Sequence, residues 1–250
     1  MRALLIGATA VLVAASPARA QVKFTVDAKS SLAWWQIDPH MAHLWATTCP
    51  QEPSWRPGEG RSAGWFIDRA VAWKRGYAAV SDTTEVPLYP RFRVRPLCTE
   101  AMTGEFTVAD TVNWRGISGL VIVDPKYLIS GEDMRDGYAR DALFEVRKYA
   151  DMRYQVDSVI DLQHKGDTVK AVAVGSMTIR GITKPIRYNL VVTREGNGGL
   201  RIRSKTMILP DQLITDFGFN PYAFGLGIGE RIWKHVFFGG DVVLRPAAGH

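Results

Sequence analysis

The stretch that decides the fold is AVAVGSMTIRGITKPIRYNLVVT, from Ala171 to Thr193. Up to Ile179, the residues at odd-numbered positions form one set and those at even-numbered positions form another. The same kind of alternation resumes at Ile186. Because successive side chains of a strand point to opposite faces, this period of two predicts two strands with one buried face each. Between them Gly181 can adopt a positive φ and Pro185 has no amide donor, so the chain is predicted to turn there and form a β-hairpin.

This hairpin needs further strands, because an isolated hairpin is marginally stable at best in water. Strand-like runs occur at 22–37, 102–109, 117–124, 152–163, 200–208, 228–238 and 241–244. The first run is predicted to break at Asp27 to Ser30. About eight strands joined by short turns, with few helices, predict an all-β, antiparallel fold that is either a closed barrel or a sandwich.

Two local features are also predicted outside the hairpin. The run 152–163 alternates throughout, which places Val156 and Ser158 on the same buried face. One short helix is predicted at 144–149, because acidic residues precede this segment and basic residues end it, as the helix dipole favours.

Residues 1–20 have the features of a cleaved signal peptide. Arg2 precedes an apolar run, and Ala18, Arg19 and Ala20 form the A-x-A pattern of a cleavage site. We therefore expect an exported protein whose mature part, 21–250, is a single domain. The formal net charge of +6 is mild, and basic residues near Arg201 alternate with apolar ones, which is typical of a solvated strand face. No nucleic-acid partner is expected.

Residues 39–100 differ in composition from the rest of the chain. This segment is rich in Pro and Gly, which predicts a mostly loop-like insertion after the first strand. Cys49 and Cys98 are the two cysteines of the chain, and in an exported protein an even number predicts a disulfide between them. One alternative function is that this insertion docks a membrane-bound partner.

The candidate metal ligands are Asp38, His40 and His43. On a helix the two imidazoles would lie about one turn apart and could share an ion with Asp38, as in a metal carrier or a metal-dependent enzyme. Loop histidines without a metal are the alternative interpretation. The sequence has no plausible Ser-His-Asp triad and no H-E-x-x-H motif, so we expect a protein that is not an enzyme and needs no cofactor.

Several motifs together resemble the YceI family, the lipocalin-like proteins of the bacterial periplasm. The two longest are ISGEDMRDGYARDALFEVRKY at 129–149, followed by MRY, and MTIRGITKP at 177–185. Shorter matches are Gly104-Glu105-Phe106, Asp216-Phe217-Gly218 and Gly229-Glu230. The resemblance implies a periplasmic protein with an eight-stranded antiparallel barrel whose apolar lumen carries a polyisoprenoid or another long-chain lipid.

Residue size decides whether such a lumen is open or filled. Small residues at Ala173 and Gly175 are predicted to leave space for an apolar chain, although a closed core is the alternative. The predicted ligand-binding residues are Trp35, Phe106, Tyr154, Val156, Ala173, Gly175, Met177, Ile179, Tyr188, Leu190 and Ile202. Arg135 and Asp136 are the candidates for contacting a polar head group, with a surface ion pair as the alternative.

Overall fold

A computed structural model describes residues 21–39, 44–48, 101–128, 133–220 and 233–247 of the chain. The predicted signal peptide at 1–20 lies outside these ranges, as do His40, His43, Cys49 and Cys98 with most of the predicted insertion. The disulfide therefore stays a prediction. Within the described ranges, no helix combines the length and the hydropathy needed to cross a membrane.

Ten strands and two short helices make up the described structure. The strands are β1 (Val22–Val26), β2 (Leu32–Pro39), β3 (Leu44–Thr47), β4 (Met102–Asp110), β5 (Arg115–Val123), β6 (Met152–Lys165), β7 (Thr168–Ile179), β8 (Ile182–Arg194), β9 (Leu200–Ile208) and β10 (Trp233–Pro246). The α-helices are α1 (Asp133–Tyr138), which continues into a π-helical turn (Ala139–Leu143), and α2 (Pro210–Phe217). Two 3-10 turns lie at Ala28–Ser30 and Pro125–Tyr127.

The strands form a closed antiparallel barrel. The order β1-β4-β5-β6-β7-β8-β9-β10 is closed into a ring by pairing between β1 and β10. The first strand breaks at Ala28–Ser30, as predicted, and β2 continues along the remaining length of β10 from Asp241 to Trp233. On its other edge β2 pairs with β3, an extra strand outside the ring. The barrel interpretation is confirmed.

The central hairpin has a tighter turn than predicted. Pairing runs from Ile179 opposite Ile182 to Thr168 opposite Thr193, so β8 begins at Ile182 and includes Pro185. The turn consists of Arg180 and Gly181, whose φ values are 52° and 72°. Positive φ at both central residues is the geometry that matches the twist of paired strands, so two residues suffice to reverse the chain.

Strand β6 does not alternate as predicted, because two irregularities interrupt its pairing with β7. The register shifts between Val156 and Ser158, and again between Ile160 and Gln163. An extra residue in a strand moves the following side chains to the opposite face. Ser158 is therefore exposed instead of buried, and Val159 packs against the core in its place.

The helix predicted at 144–149 lies earlier in the chain, at Asp133–Tyr138. The Phe144 amide donates to the Ala139 carbonyl at 2.8 Å, which closes the π-helical turn after α1. Glu145 then adopts a φ of 47°, so the helix ends there. Leu143 and Phe144 are buried, which shows that core packing outweighs the charge pattern that suggested a helix over the following residues.

Each end of the barrel is covered by chain segments. At the helical end, which we define by the β7–β8 turn and α2, the segment 133–149 also packs over the opening. At the turn end, defined by the β4–β5 turn, Trp114 is buried beneath the Arg194 guanidinium at 5.2 Å. Arg194 also donates to the Thr111 carbonyl at 2.9 Å. Described residues thus lie over both ends of the barrel.

Candidate ligand-binding cavity

A largely apolar cavity lies inside the barrel. Its lining residues are Phe106, Ile117, Val121, Tyr154, Val156, Tyr188, Leu190, Val192, Ile202, Ser204 and Val242. The cavity has a volume of about 40 Å³. The cavity is thus narrow.

The sequence prediction located part of this lining. Six of the predicted ligand-binding residues line the cavity, namely Phe106, Tyr154, Val156, Tyr188, Leu190 and Ile202. Trp35, Ala173, Met177 and Ile179 are buried elsewhere in the core. The lining residues missing from the prediction are Ile117, Val121, Val192, Ser204 and Val242. On β5 the apolar run is nearly continuous, so its inward face can be assigned only from its pairing with β4, in which Ile117 lies opposite Val108.

Small residues on β7 do not create the cavity, contrary to the interpretation of their size. A Cβ atom on Gly175 would overlap the carbonyl oxygen of Gln155 on β6. Ala173 is fully buried. These small residues allow neighbouring chain to approach closely, which fills the space instead of leaving it open.

Two tyrosines lie side by side in the cavity wall. The ring centroids of Tyr154 and Tyr188 are 6.2 Å apart, and the Tyr188 hydroxyl donates to the Ser176 carbonyl at 2.7 Å. Burial raises the pKa of the Tyr154 phenol well above its usual value. Burial also raises the pKa of Tyr188, with smaller contributions from Tyr154 and Asp157. Both phenols are therefore neutral at physiological pH.

An aromatic cluster fills the interior toward the helical end. The rings of Trp35 and Phe144 meet edge to face at 6.5 Å, and Phe144 meets Phe219 in the same way at 6.1 Å. Trp34 and Trp35 are both buried, and adjacent positions of a strand face opposite sides, as predicted. The Trp35 indole N–H has no hydrogen-bond partner in the described structure.

The Arg180 side chain contacts both of the segments that lie over the helical end. Its guanidinium pairs with the Glu145 carboxylate and donates to the Gly218 carbonyl. It also lies over the Tyr149 and Phe219 rings, at 5.8 Å and 5.3 Å from their centroids. One side chain of the β7–β8 turn thereby holds both α2 and the segment 133–149 in place.

The predicted head-group and metal residues are not brought together by the described structure. Asp136 is buried in α1 and is not among the described lining residues of the cavity. The side chain of Arg135 lies outside the description. Asp38 belongs to β2, but its side chain also lies outside the description. Among described residues, no three His, Cys, Asp or Glu side chains form a group able to hold a metal ion. Both hypotheses stay predictions.

The barrel wall has a groove where pairing between β8 and β9 stops. The ladder runs from Arg194 opposite Leu200 to Asn189 opposite Lys205, and the described part of β8 before Asn189 has no partner on β9. There the Thr206 hydroxyl donates to the Arg187 carbonyl at 2.8 Å. The groove is about 440 Å³ and is lined by Val174, Gly175, Pro185, Ile186, Arg187, Thr206 and Met207.

A family model for the YceI-like domain matches residues 75–244, which is more than half of the chain. The match starts within the segment interpreted as an insertion. It agrees with the resemblance carried by the 129–149 and 177–185 motifs. Among curated proteins, none matches this chain significantly.

Several solved structures are similar to this one. BcnA of Burkholderia cenocepacia has a TM-score of 0.54 at 9% identity, with 87% of this chain and 98% of that chain covered. A polyisoprenoid binding domain from Saccharophagus degradans has a TM-score of 0.49 at 14% identity, covering 90% and 99%. The YCEI protein of Campylobacter jejuni has a TM-score of 0.44 at 12% identity, covering 67% and 96%. At these identities the likeness to BcnA shows the fold alone.

Proposed function

Since this chain belongs to the YceI-like domain family, we propose that it is an exported, non-catalytic carrier of a long-chain amphiphile. The polyisoprenoid class of ligand follows from the family resemblance. The observation that carries the proposal is the apolar cavity enclosed by the barrel. Each methylene group that a ligand buries there contributes about 0.8 kcal/mol, so a chain of modest length is retained without a salt bridge.

The narrow cavity sets a condition on binding. Ligand pockets usually have a volume of about 300–1,000 Å³, and this cavity has about 40 Å³. A ligand must therefore displace lining side chains toward new rotamers. Tyr154 and Tyr188 are the largest lining residues with cavity-facing rings, and their movement would lengthen the space toward the helical end.

Native mass spectrometry and solvent extraction of protein purified from cells test the carrier function. We expect a co-purifying lipid in the unmodified protein. Leu190→Trp fills the cavity and should abolish lipid recovery, whereas Val191→Trp, on the opposite face of the same strand, should retain it. Lipid-free protein, or equal recovery from a folded Leu190→Trp variant, would contradict the proposal.

Export to the periplasm and the disulfide are parts of the proposal that concern residues outside the described ranges. Cleavage after Ala20 predicts that protein recovered from the periplasm has the mass of residues 21–250. A free-thiol assay should find Cys49 and Cys98 unreactive until a reductant is added. Docking of a membrane-bound partner by residues 39–100 and metal binding by His40 and His43 have no support from the described contacts, so neither is proposed as a second function.

A further inference from the structure

Two hydroxyl groups in the cavity wall have no partner. Tyr154 and Ser204 both line the cavity, and among described residues neither hydroxyl takes part in a hydrogen bond. Gly240 lies opposite Ser204 on β10, so no side chain from that position covers the Ser204 hydroxyl. Neither oxygen is among the side-chain atoms that are both fully buried and unpaired, so each keeps some surface that a molecule in the cavity can contact. Each can therefore make a hydrogen bond to a bound ligand.

Tyr188 shows that the fold can satisfy a phenol in the same wall. Its hydroxyl donates to the Ser176 carbonyl at 2.7 Å, whereas the neighbouring Tyr154 makes no such bond. Tyr154 is neutral, because burial raises the pKa of its phenol. It can thus donate one hydrogen bond and accept another, as can Ser204.

The remaining lining residues restrict the charge of a bound group. Apart from Tyr154, Tyr188 and Ser204, every described lining residue is apolar, and none of the described lining residues carries a charge. An ionised group placed there would lose its hydration without gaining an opposite charge, which is strongly unfavourable. An uncharged oxygen, by contrast, needs only a hydrogen bond, which the hydroxyl of Tyr154 or of Ser204 can supply.

We infer that Tyr154 and Ser204 form a hydrogen-bonding site for an uncharged oxygen, a hydroxyl or a carbonyl, of the bound chain. The hydrocarbon part of the ligand then packs against the apolar lining. This inference rests on the proposed function and refines its ligand class from long-chain amphiphiles in general to neutral, oxygen-bearing ones.

Three probes with the same hydrocarbon chain test the inference, namely farnesol, farnesene and farnesyl monophosphate. Their binding is compared by competition in native mass spectrometry, with ligand-stripped full-length mature protein. We expect farnesol to bind about tenfold more tightly than the hydrocarbon, and more tightly than the phosphate. Tyr154→Phe and Ser204→Ala should each reduce the affinity for farnesol about five- to tenfold and leave that for farnesene unchanged.

Tyr138→Phe and Ser158→Ala are the controls, since each removes the same kind of hydroxyl at an exposed position outside the cavity lining. Both should leave the farnesol-to-farnesene affinity ratio unchanged. The inference is overturned if the wild-type protein binds farnesol and farnesene equally, as it would if a water molecule satisfied both hydroxyls. It is also overturned if the farnesol-to-farnesene affinity ratio is unchanged in both Tyr154→Phe and Ser204→Ala, or if farnesyl monophosphate binds more tightly than the other two probes. If none of the probes binds, the carrier function itself fails, and the inference falls with it.

Discussion

At the scale of single residues, Arg180 joins three segments that are distant in sequence. It occupies the left-handed region at a turn position that in most proteins is left to Gly or Asn, and its side chain is 12% exposed. Left-handed backbone is unfavourable for a residue with a Cβ atom. The pairing with Glu145 and the bond to the Gly218 carbonyl offset that cost. The basic residue of the MTIRGITKP motif is thus explained by structure, independently of any ligand.

Arg180→Lys should destabilise the fold by about 2 kcal/mol, because an ammonium group cannot make both planar contacts of the guanidinium. Urea unfolding followed by circular dichroism measures the change. Arg153→Lys is the control, since Arg153 pairs with Asp151 on the exposed surface, and the free energy of unfolding of this variant should equal that of the wild type within error. Equal effects at the two positions would show that Arg180 does not hold the helical end.

The two cavity tyrosines make stability depend on pH in the alkaline range. Their folded-state pKa values are raised by burial, whereas in the unfolded chain a tyrosine ionises near its ordinary value of about 10. The stabilisation is complete below that value and is lost as pH rises above it, because only the unfolded state then releases the protons. Tyr154→Phe or Tyr188→Phe should flatten this decline in melting temperature, and Tyr138→Phe, at an exposed position, should not. A decline unchanged by both cavity substitutions would refute the assignment.

At the scale of elements, the β8–β9 ladder divides β8 into two halves. The Arg187 carbonyl faces β9, since Thr206 donates to it, and backbone groups of alternate residues in a strand face the same neighbour. The amides of Thr183 and Arg187 therefore face the groove, whereas those of Val191 and Thr193 face paired residues of β9. One half of β8 thus has backbone amides that face paired residues of β9, and the other half has amides that face the groove.

Hydrogen exchange should reveal this division. The amides of Thr183 and Arg187 are expected to exchange much faster than those of Val191 and Thr193, because they lack a ladder partner. Exchange measured residue by residue by NMR checks the expectation, with the amides of β7 as an internal reference, since β7 pairs along its whole length. Uniform protection along β8 would mean that the ladder is complete in solution.

The sequence predicted strands and turns correctly where a local residue pattern alone determines the backbone conformation. Alternation around Gly181 predicted the hairpin, and polar residues at 27–30 predicted the break in the first strand. It failed where pairing or packing decided the result. The bulge at Asp157 depends on how β6 meets β7, and the helix position depends on burying Phe144, neither of which is visible in a local pattern.

At the scale of the whole molecule, the cavity was predicted only in part. Residue size suggested that space lies beside Ala173 and Gly175, yet the backbone of β6 fills the space beside Gly175, and Ala173 is fully buried. The open volume lies instead among larger residues such as Phe106 and Val242, because strand curvature and stagger set the distances across a barrel. Those distances follow from the closed ring and cannot be read from single runs of sequence.

The gap in the β8–β9 ladder has a consequence for how copies of this protein behave together. Unpaired backbone along a strand is a template on which another chain can add, a route to aggregation. Pro185 faces the gap, two residues before Arg187, and offers no donor there, while the exposed Arg187 adds charge. Pro185→Val should therefore promote self-association, seen as rising light scattering on concentration, whereas Val191→Thr, on the paired half, should leave the scattering unchanged. A single imino acid is thus expected to keep the molecules of a concentrated solution apart.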